Sequence, residues 1–197
     1  MSSRLAAARE RERGRVMREV SAIAVRLFEE HGYDNVTVED VADASGVSVA
    51  TLYRRFATKE NLVCWQSDEQ AGTAAFVAAI RSGQPIHRAA MELALDLPDD
   101  AVDAIEATAR TRLRLIAAHA SLQATTREKA ESFVQTVLEV SGHHDQRPLL
   151  ERETETRCVA AAFEAGNNAW FRGEESLREC TVRALELLAN GGSVRAE

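Results

Sequence analysis

Cysteine is scarce in this 197-residue chain: Cys64, Cys158 and Cys180 lie too far apart in sequence for metal-ligand or redox spacing. They read as small buried hydrophobes in a reducing compartment. His143-His144-Asp145 has no matching ligands nearby in the sequence, so neither a metal nor any other cofactor is expected. No apolar run approaches the roughly 20 residues that span a bilayer. The stretch from Met1 to Arg15 is charged and lacks an apolar core, which argues against a secretory signal. A cytoplasmic protein with no membrane partner is expected. Also missing are a nucleophile elbow, a phosphate-cradling glycine loop, a metal-ligand helix motif and a dinucleotide fingerprint. Ser, His and Asp residues are scattered, and nothing in the sequence brings them together. An enzyme is therefore not expected, and no catalytic residue is assigned.

What is present is the balance of a soluble globular protein, 45% hydrophobic and 28% charged. The length allows one domain of ordinary size or two small ones. The net charge of −7 is unevenly placed. Residues 1–60 carry ten basic and ten acidic side chains, which leaves 14 basic and 21 acidic groups, and the whole deficit, in residues 61–197. Any nucleic-acid contact in the neutral first part must depend on where its charges point.

Proline occurs only at 85, 98 and 148, and no stretch alternates apolar and polar residues for long enough to make a strand. An all-α chain of about nine helices is predicted. The clearest helix places Val16, Val20, Ile23, Ala24, Leu27 and Phe28 on one stripe and stops at Gly32, a left-handed C-cap. Thr37-Val38-Glu39-Asp40 resembles a capping box with Asp at its fourth position, and opens a short helix to about Ser45. Gly46 supplies an unusual backbone angle and Val47 plugs the core. Ser48 then caps a helix from Val49 to Phe56, and Thr58 caps a long one from Lys59 to about Arg81. Further helices are predicted at about 86–96, 99–118, 124–141, 148–172 and 174–190, with Gly142, Gly173 and Gly191 punctuating the last three.

Two short helices joined by a tight turn and braced by a longer helix in front form the helix-turn-helix pattern. At roughly 100° per residue, Val49, Leu52 and Phe56 share one face of the second helix, which must be its buried side. The opposite face carries Ala50 and Arg54, flanked by Thr51, Tyr53 and Arg55. A small residue at 50 lets the backbone approach a groove and offers a methyl group to thymine; Arg54 suits bidentate bonding to guanine O6 and N7. Tyr53, Thr51 and Arg55 are better placed for phosphates at the groove edges. Thr37, Ser48 and Lys59 each stand at a helix N-terminus, where unpaired N–H groups and the helix dipole favour a phosphate. Arg9, Arg11, Arg13 and Arg15 form an arm that either reaches phosphates or a minor groove, or is a solvated tail, given the interleaved Glu10 and Glu12.

Thr37-Val38-Glu39-Asp40-Val41-Ala42, Gly46-Val47-Ser48, Thr51-Leu52-Tyr53-Arg54-Arg55-Phe56 and Lys59-Glu60-Asn61-Leu62, in that order and spacing, closely resemble the TetR family of repressors. The likeness covers about residues 15–65. Val49-Ala50 departs from the polar residue and glycine frequent in that family, which bears on which bases are read. The resemblance implies a DNA-binding domain over 1–60, with 1–14 as a flexible arm, and a ligand-binding and dimerisation domain over 61–197. It implies that the positions matching Thr37, Ser48 and Lys59 contact backbone phosphates. The function it implies is a regulator, usually a repressor, released from a palindromic double-stranded DNA operator by a small-molecule effector. A constitutive DNA-binding regulator without an effector stays open.

The resemblance further implies a helical bundle that pairs with a second subunit. The helix at 148–172 carries Val159, Ala160, Ala162, Phe163, Ala165, Gly166, Ala169 and Trp170, and that at 174–190 carries Leu177, Cys180, Ala184, Leu185, Leu187 and Leu188. Two such helices per subunit suit a four-helix, self-complementary homodimer interface; an ordinary internal core is the other reading. Candidate effector-lining residues are Trp65, Phe76, Arg112, His119, Phe133, Phe163 and Asn167. With 5% aromatics, a flat aromatic ligand sandwiched between rings is not signalled.

Overall fold

The structure is a computed structural model. It describes the backbone of all residues except 1, 65, 66, 97, 98, 174 and 192–197, and their side chains apart from 2–13, 67–73, 99–101 and 103–105. Among the described residues every regular element is a helix. In chain order these are α1 (Ser2–His31), a 3-10 turn (Tyr33–Asn35), α2 (Val38–Ser45), α3 (Val49–Phe56), α4 (Lys59–Cys64), α5 (Ser67–Arg81), α6 (Ile86–Asp96), α7 (Asp99–Ala118), α8 (Ala120–Ser141), α9 (Leu149–Arg172) and α10 (Leu177–Ala189). That is ten α-helices against the nine predicted, because the helix expected from Lys59 to about Arg81 is described as α4 and α5, on either side of two residues outside the described set.

Two other boundaries move for reasons of propensity. The stretch read as an arm over 1–14 is helical from Ser2 on, since Leu5 to Arg13 is rich in Ala, Arg and Glu, all good helix formers. Arg15 and Glu19 pair one turn apart on the same helix. Helix α8 begins at Ala120 rather than at 124, because no proline or glycine separates it from α7 and the Gln123 N–H already bonds to the His119 carbonyl at 3.1 Å.

The chain divides into two compact units, Met1–Gln70 with Thr108–Arg127, and Ala71–Ala107 with Glu128–Glu197. In the first, the apolar stripe of α1 is the spine of the core. Val20, Ala24 and Phe28 bury against Val41 of α2, Leu52 of α3, Leu62 and Val63 of α4, and Leu122 of α8. Val47, the turn residue, packs against this core as predicted from the sequence. The second unit is built on Phe76, Ile80, Ile86, Ala90, Val137, Val159 and Leu185, with α9 lying along α10 and both meeting α6. An ion-pair network fastens its loops. Arg147 bridges Asp145 and Glu155, and Glu155 also accepts from the backbone N–H of His87 at 3.1 Å, at the start of α6. Burial pushes the Glu155 carboxyl up, but the bonds from Arg147 and His87 prevail and hold it below its ordinary range. No helix among the described residues is long and apolar enough to cross a membrane.

Gly166 explains how closely α9 and α10 approach. A Cβ there would lie 2.7 Å from the Thr181 Cα and 3.0 Å from its N, both backbone atoms that cannot turn aside. Alanine ordinarily improves a helix interior over glycine by about 1 kcal/mol. Overpacking costs about 1–3 kcal/mol and should reverse that sign here. Gly166→Ala is therefore expected to lower the melting temperature. A rise would mean that α10 gives way without cost.

Candidate nucleic-acid interface

The first half of the helix-turn-helix is fixed by its caps. The Asp40 N–H donates to Thr37 Oγ1 at 3.1 Å, while the Thr37 N–H donates back to Asp40 Oδ2 at 2.7 Å, a full capping box despite the shorter Asp. The Thr37 hydroxyl also donates to Asp40 Oδ2 at 2.6 Å. These bonds, from the Thr37 hydroxyl first and its N–H second, hold the Asp40 carboxyl below the ordinary carboxylate range. A folded-state pKa that is depressed contributes stability above the unfolded value of about 3.9, and that contribution is lost as pH falls through the folded one. On acidification below about pH 4 the wild type should therefore lose thermal stability faster than Asp40→Asn. Parallel acid profiles of the two proteins would show that the box carries none of the loss.

Gly46 ends α2 in the left-handed conformation, φ 66 and ψ 20, and sends its N–H to the Ala42 carbonyl. Ser48 caps α3 by accepting from the Thr51 N–H at 3.3 Å. Helix α3 then sorts its residues sharply: Leu52 and Phe56 are 1% and 3% exposed, whereas Ala50, Arg54 and Arg55 are exposed and Tyr53 is 48% exposed. Val49 and Thr51 are intermediate, Val49 packing against the core. Arg54 rests one turn back, its Nη2 3.4 Å from Thr51 Oγ1, which itself lies 2.9 Å from Ser48 Oγ. The exposed charges of α3 are the cations Arg54 and Arg55, whereas the exposed acids Glu39, Asp40 and Asp43 sit on α2. The solvent face of α3 therefore carries no charge that would repel a phosphate.

The exit from α3 is strained. Ala57 has φ 62 and ψ −44, and the Thr58 N–H bonds to the Phe56 carbonyl at 2.7 Å, a γ-turn of the uncommon positive-φ kind. Such a conformation costs a residue with a Cβ about 1–3 kcal/mol. Ala57→Gly should raise unfolding stability by about 1 kcal/mol after the entropy cost of glycine. An unchanged or lower melting point would show that the turn is not strained.

Lys59 behaves differently from its neighbours at helix starts. Its ammonium donates to the Tyr33 carbonyl and lies 4.3 Å from the Tyr33 ring centroid and 5.4 Å from that of Phe28. The side chain is thus turned to the core edge, and what it leaves at the start of α4 is backbone N–H. Neither this fold-back nor the Ala57 turn is marked by any residue type in the sequence.

The effector candidates separate. Phe76 and Phe133 stack at 5.6 Å in the core of the second unit, where Phe163 packs as well. Asn167 is exposed on α9. Arg112 and His119 belong to the first unit. Arg112 bonds to Val63 and Ser21, and the His119 ring lies 4.8 Å from that of Tyr33, with Nδ1 2.9 Å from the Leu115 carbonyl. Trp65 lies outside the described residues, as do the side chains of Arg9, Arg11 and Arg13. Among the described residues no three His, Cys, Asp or Glu side chains gather as metal ligands.

Residues 22–63 match the family described as bacterial regulatory proteins, tetR family. An uncharacterized HTH-type transcriptional regulator occurring in Mycobacterium bovis and Mycobacterium tuberculosis is 43% identical over 63 residues, 32% of this chain and 27% of that one. A putative mycofactocin biosynthesis transcriptional regulator of Mycobacterium tuberculosis is 38% identical over 55 residues, 28% of this chain and 27% of that one. The chain thus matches about a quarter of the length of these relatives. Among solved structures, a TetR family regulator from Thermus thermophilus is 21% identical, covers 89% of this chain and 99% of its own, and has a TM-score of 0.43. A TetR regulator from a Rhodococcus species is 20% identical, covers 90% and 98%, and has a TM-score of 0.46.

Proposed function

Because this chain belongs to the tetR family of bacterial regulatory proteins, we propose that it is a repressor released from a palindromic operator by a small molecule. It is a DNA-binding transcriptional regulator with an N-terminal helix-turn-helix. The observation that carries the DNA reading is the division of α3, with Leu52 and Phe56 buried while Ala50, Tyr53, Arg54 and Arg55 stand out to solvent. In this reading Ala50 and Arg54 read base edges. Thr37, Ser48, Thr51, Tyr53, Arg55 and the first turn of α4 at Lys59 fix the register on the backbone, and Val49 comes to the DNA only through its main chain beside Ala50.

The protein works in the cytoplasm as a homodimer through α9 and α10. Supporting this, Ala161, Ala165, Asn168 and Phe171 are exposed along α9 at spacings of three and four, and the small side chains among them are of the kind that let helices approach closely. Residues 1–60 act as the DNA-binding domain and 61–197 as the effector and dimerisation domain. The effector lodges against Phe76, Phe133 and Phe163. A dye-based thermal shift against metabolites and drugs, followed by gel shift on the upstream DNA, tests the reading. A compound that both stabilises the protein and releases it from DNA supports a sensor. A tight ligand that leaves DNA affinity unaltered contradicts the effector, and a monomer by sedimentation at micromolar concentration contradicts the dimer.

A further inference from the structure

Two side chains distant in sequence donate to backbone carbonyls of α4. Ser21 Oγ, fully buried on α1, donates to the Leu62 carbonyl at 2.6 Å. Arg112 Nη1, on α7, donates to the next carbonyl, Val63, at 2.5 Å. Arg112 Nη2 donates back to Ser21 Oγ at 3.0 Å, and Nε lies 3.4 Å from Thr108 Oγ1. The guanidinium and the hydroxyl thus close a ring against the adjacent Leu62 and Val63 carbonyls of α4. The planar fork is what reaches two acceptors at once; a lysine in its place is a single point charge.

The start of α4 holds the recognition helix. Asn61 Nδ2 donates to the carbonyl of Phe56, the last residue of α3, at 2.7 Å, and Thr58 Oγ1 accepts from the Asn61 N–H at 3.3 Å. Within the first unit α4 is therefore tied to α3 through Asn61 and to α1 and α7 through the Leu62 and Val63 carbonyls.

We propose that Arg112 is a positioning residue for DNA binding. By clamping α4 at Val63 to Ser21 of α1 it sets the pose of α3, and it does so without touching DNA. The inference rests on the reading of α3 as the nucleic-acid interface. It assigns Arg112 to a junction between helices instead of to the lining of an effector pocket.

The test uses the full chain and a DNA fragment that the wild type enriches from a random-sequence pool. Arg112→Met and Arg112→Lys are titrated against that fragment over a range of salt, at a temperature where circular dichroism shows both folded. Arg112→Met is expected to bind about tenfold more weakly, the scale of a lost charge-assisted hydrogen bond. The slope of log affinity against log salt should stay at its wild-type value, because no phosphate contact is lost. Lysine should not restore binding. Folded Arg112→Met with wild-type affinity overturns the proposal, and so does a slope smaller by about one charge, which marks a direct phosphate contact. If Arg112→Met does not fold, Ser21→Ala decides in the same way, since it leaves the guanidinium on Val63: weaker binding at an unchanged slope supports the clamp, and wild-type binding overturns it. A wild type that enriches no DNA defeats the interface and this proposal together. A wild type that binds beside an indifferent Arg112→Met defeats this proposal alone.

Discussion

Replacing Phe28 by alanine is expected to cost about 3–5 kcal/mol of unfolding free energy, the usual toll of emptying a buried phenylalanine site. Phe28 is 1% exposed at the end of the α1 stripe. Its ring stands edge-on to Tyr33 at 5.1 Å, and the Lys59 ammonium lies 5.4 Å from it. Removing the ring deletes apolar burial, an aromatic pair and part of a cation–π contact in one step, and leaves a cavity where α1 meets the 3-10 turn. Domains are stable by only about 5–15 kcal/mol, so the loss is a large share of the total. Urea titration followed by circular dichroism gives the number. DNA binding should fall only as far as the folded fraction falls. A cost below about 1 kcal/mol would mean that the α1 stripe is not the spine of this unit.

Arg54→Ala is expected to do the opposite, leaving the fold intact while weakening DNA binding by about 1–3 kcal/mol. The side chain is exposed, and its hydrogen bond to Thr51 Oγ1 is long at 3.4 Å, so little stability depends on it. A guanidinium so exposed has the geometry to meet guanine O6 and N7 together in a major groove, a kind of contact that discriminates against other base pairs by a similar amount. The variant should therefore bind its best sequence more weakly and tolerate change at one base pair per half-site. The measurement is a titration on the cognate site and on its single-base-pair variants. Equal weakening at every variant would make Arg54 a phosphate contact, and unchanged affinity would remove it from the interface.

The two variants show which parts of the protein are legible in its sequence. The segment from Thr37 to Phe56 is short-range structure: a capping box, a left-handed glycine, a second cap and a helical period, each written within a few residues. Its helix limits and the buried pair Leu52 and Phe56 follow from those signals. What local pattern could not show lies in long-range choices. Arg112 reaches a carbonyl 49 positions away and a hydroxyl 91 positions away, and nothing in its own neighbourhood separates that role from a pocket wall. Lys59 had a phosphate or the Tyr33 carbonyl as possible partners, and the choice belongs to tertiary packing. Ala57 holds a positive φ with no glycine to announce it. Gly166 was visible as one small residue among several, but its need for the Thr181 backbone depends on where α10 lies.

The central claim is that α3 offers Ala50 and Arg54 to a major groove as one half of a paired reader. Selection of bound sequences from a random DNA pool, run in parallel on the wild type and Arg54→Ala, tests it most directly. The expected wild-type result is a two-fold motif whose half-sites lie about 34–36 Å apart along the duplex, with one position per half-site blurred in the variant. A pool that stays random, or an identical motif from both proteins, contradicts the claim.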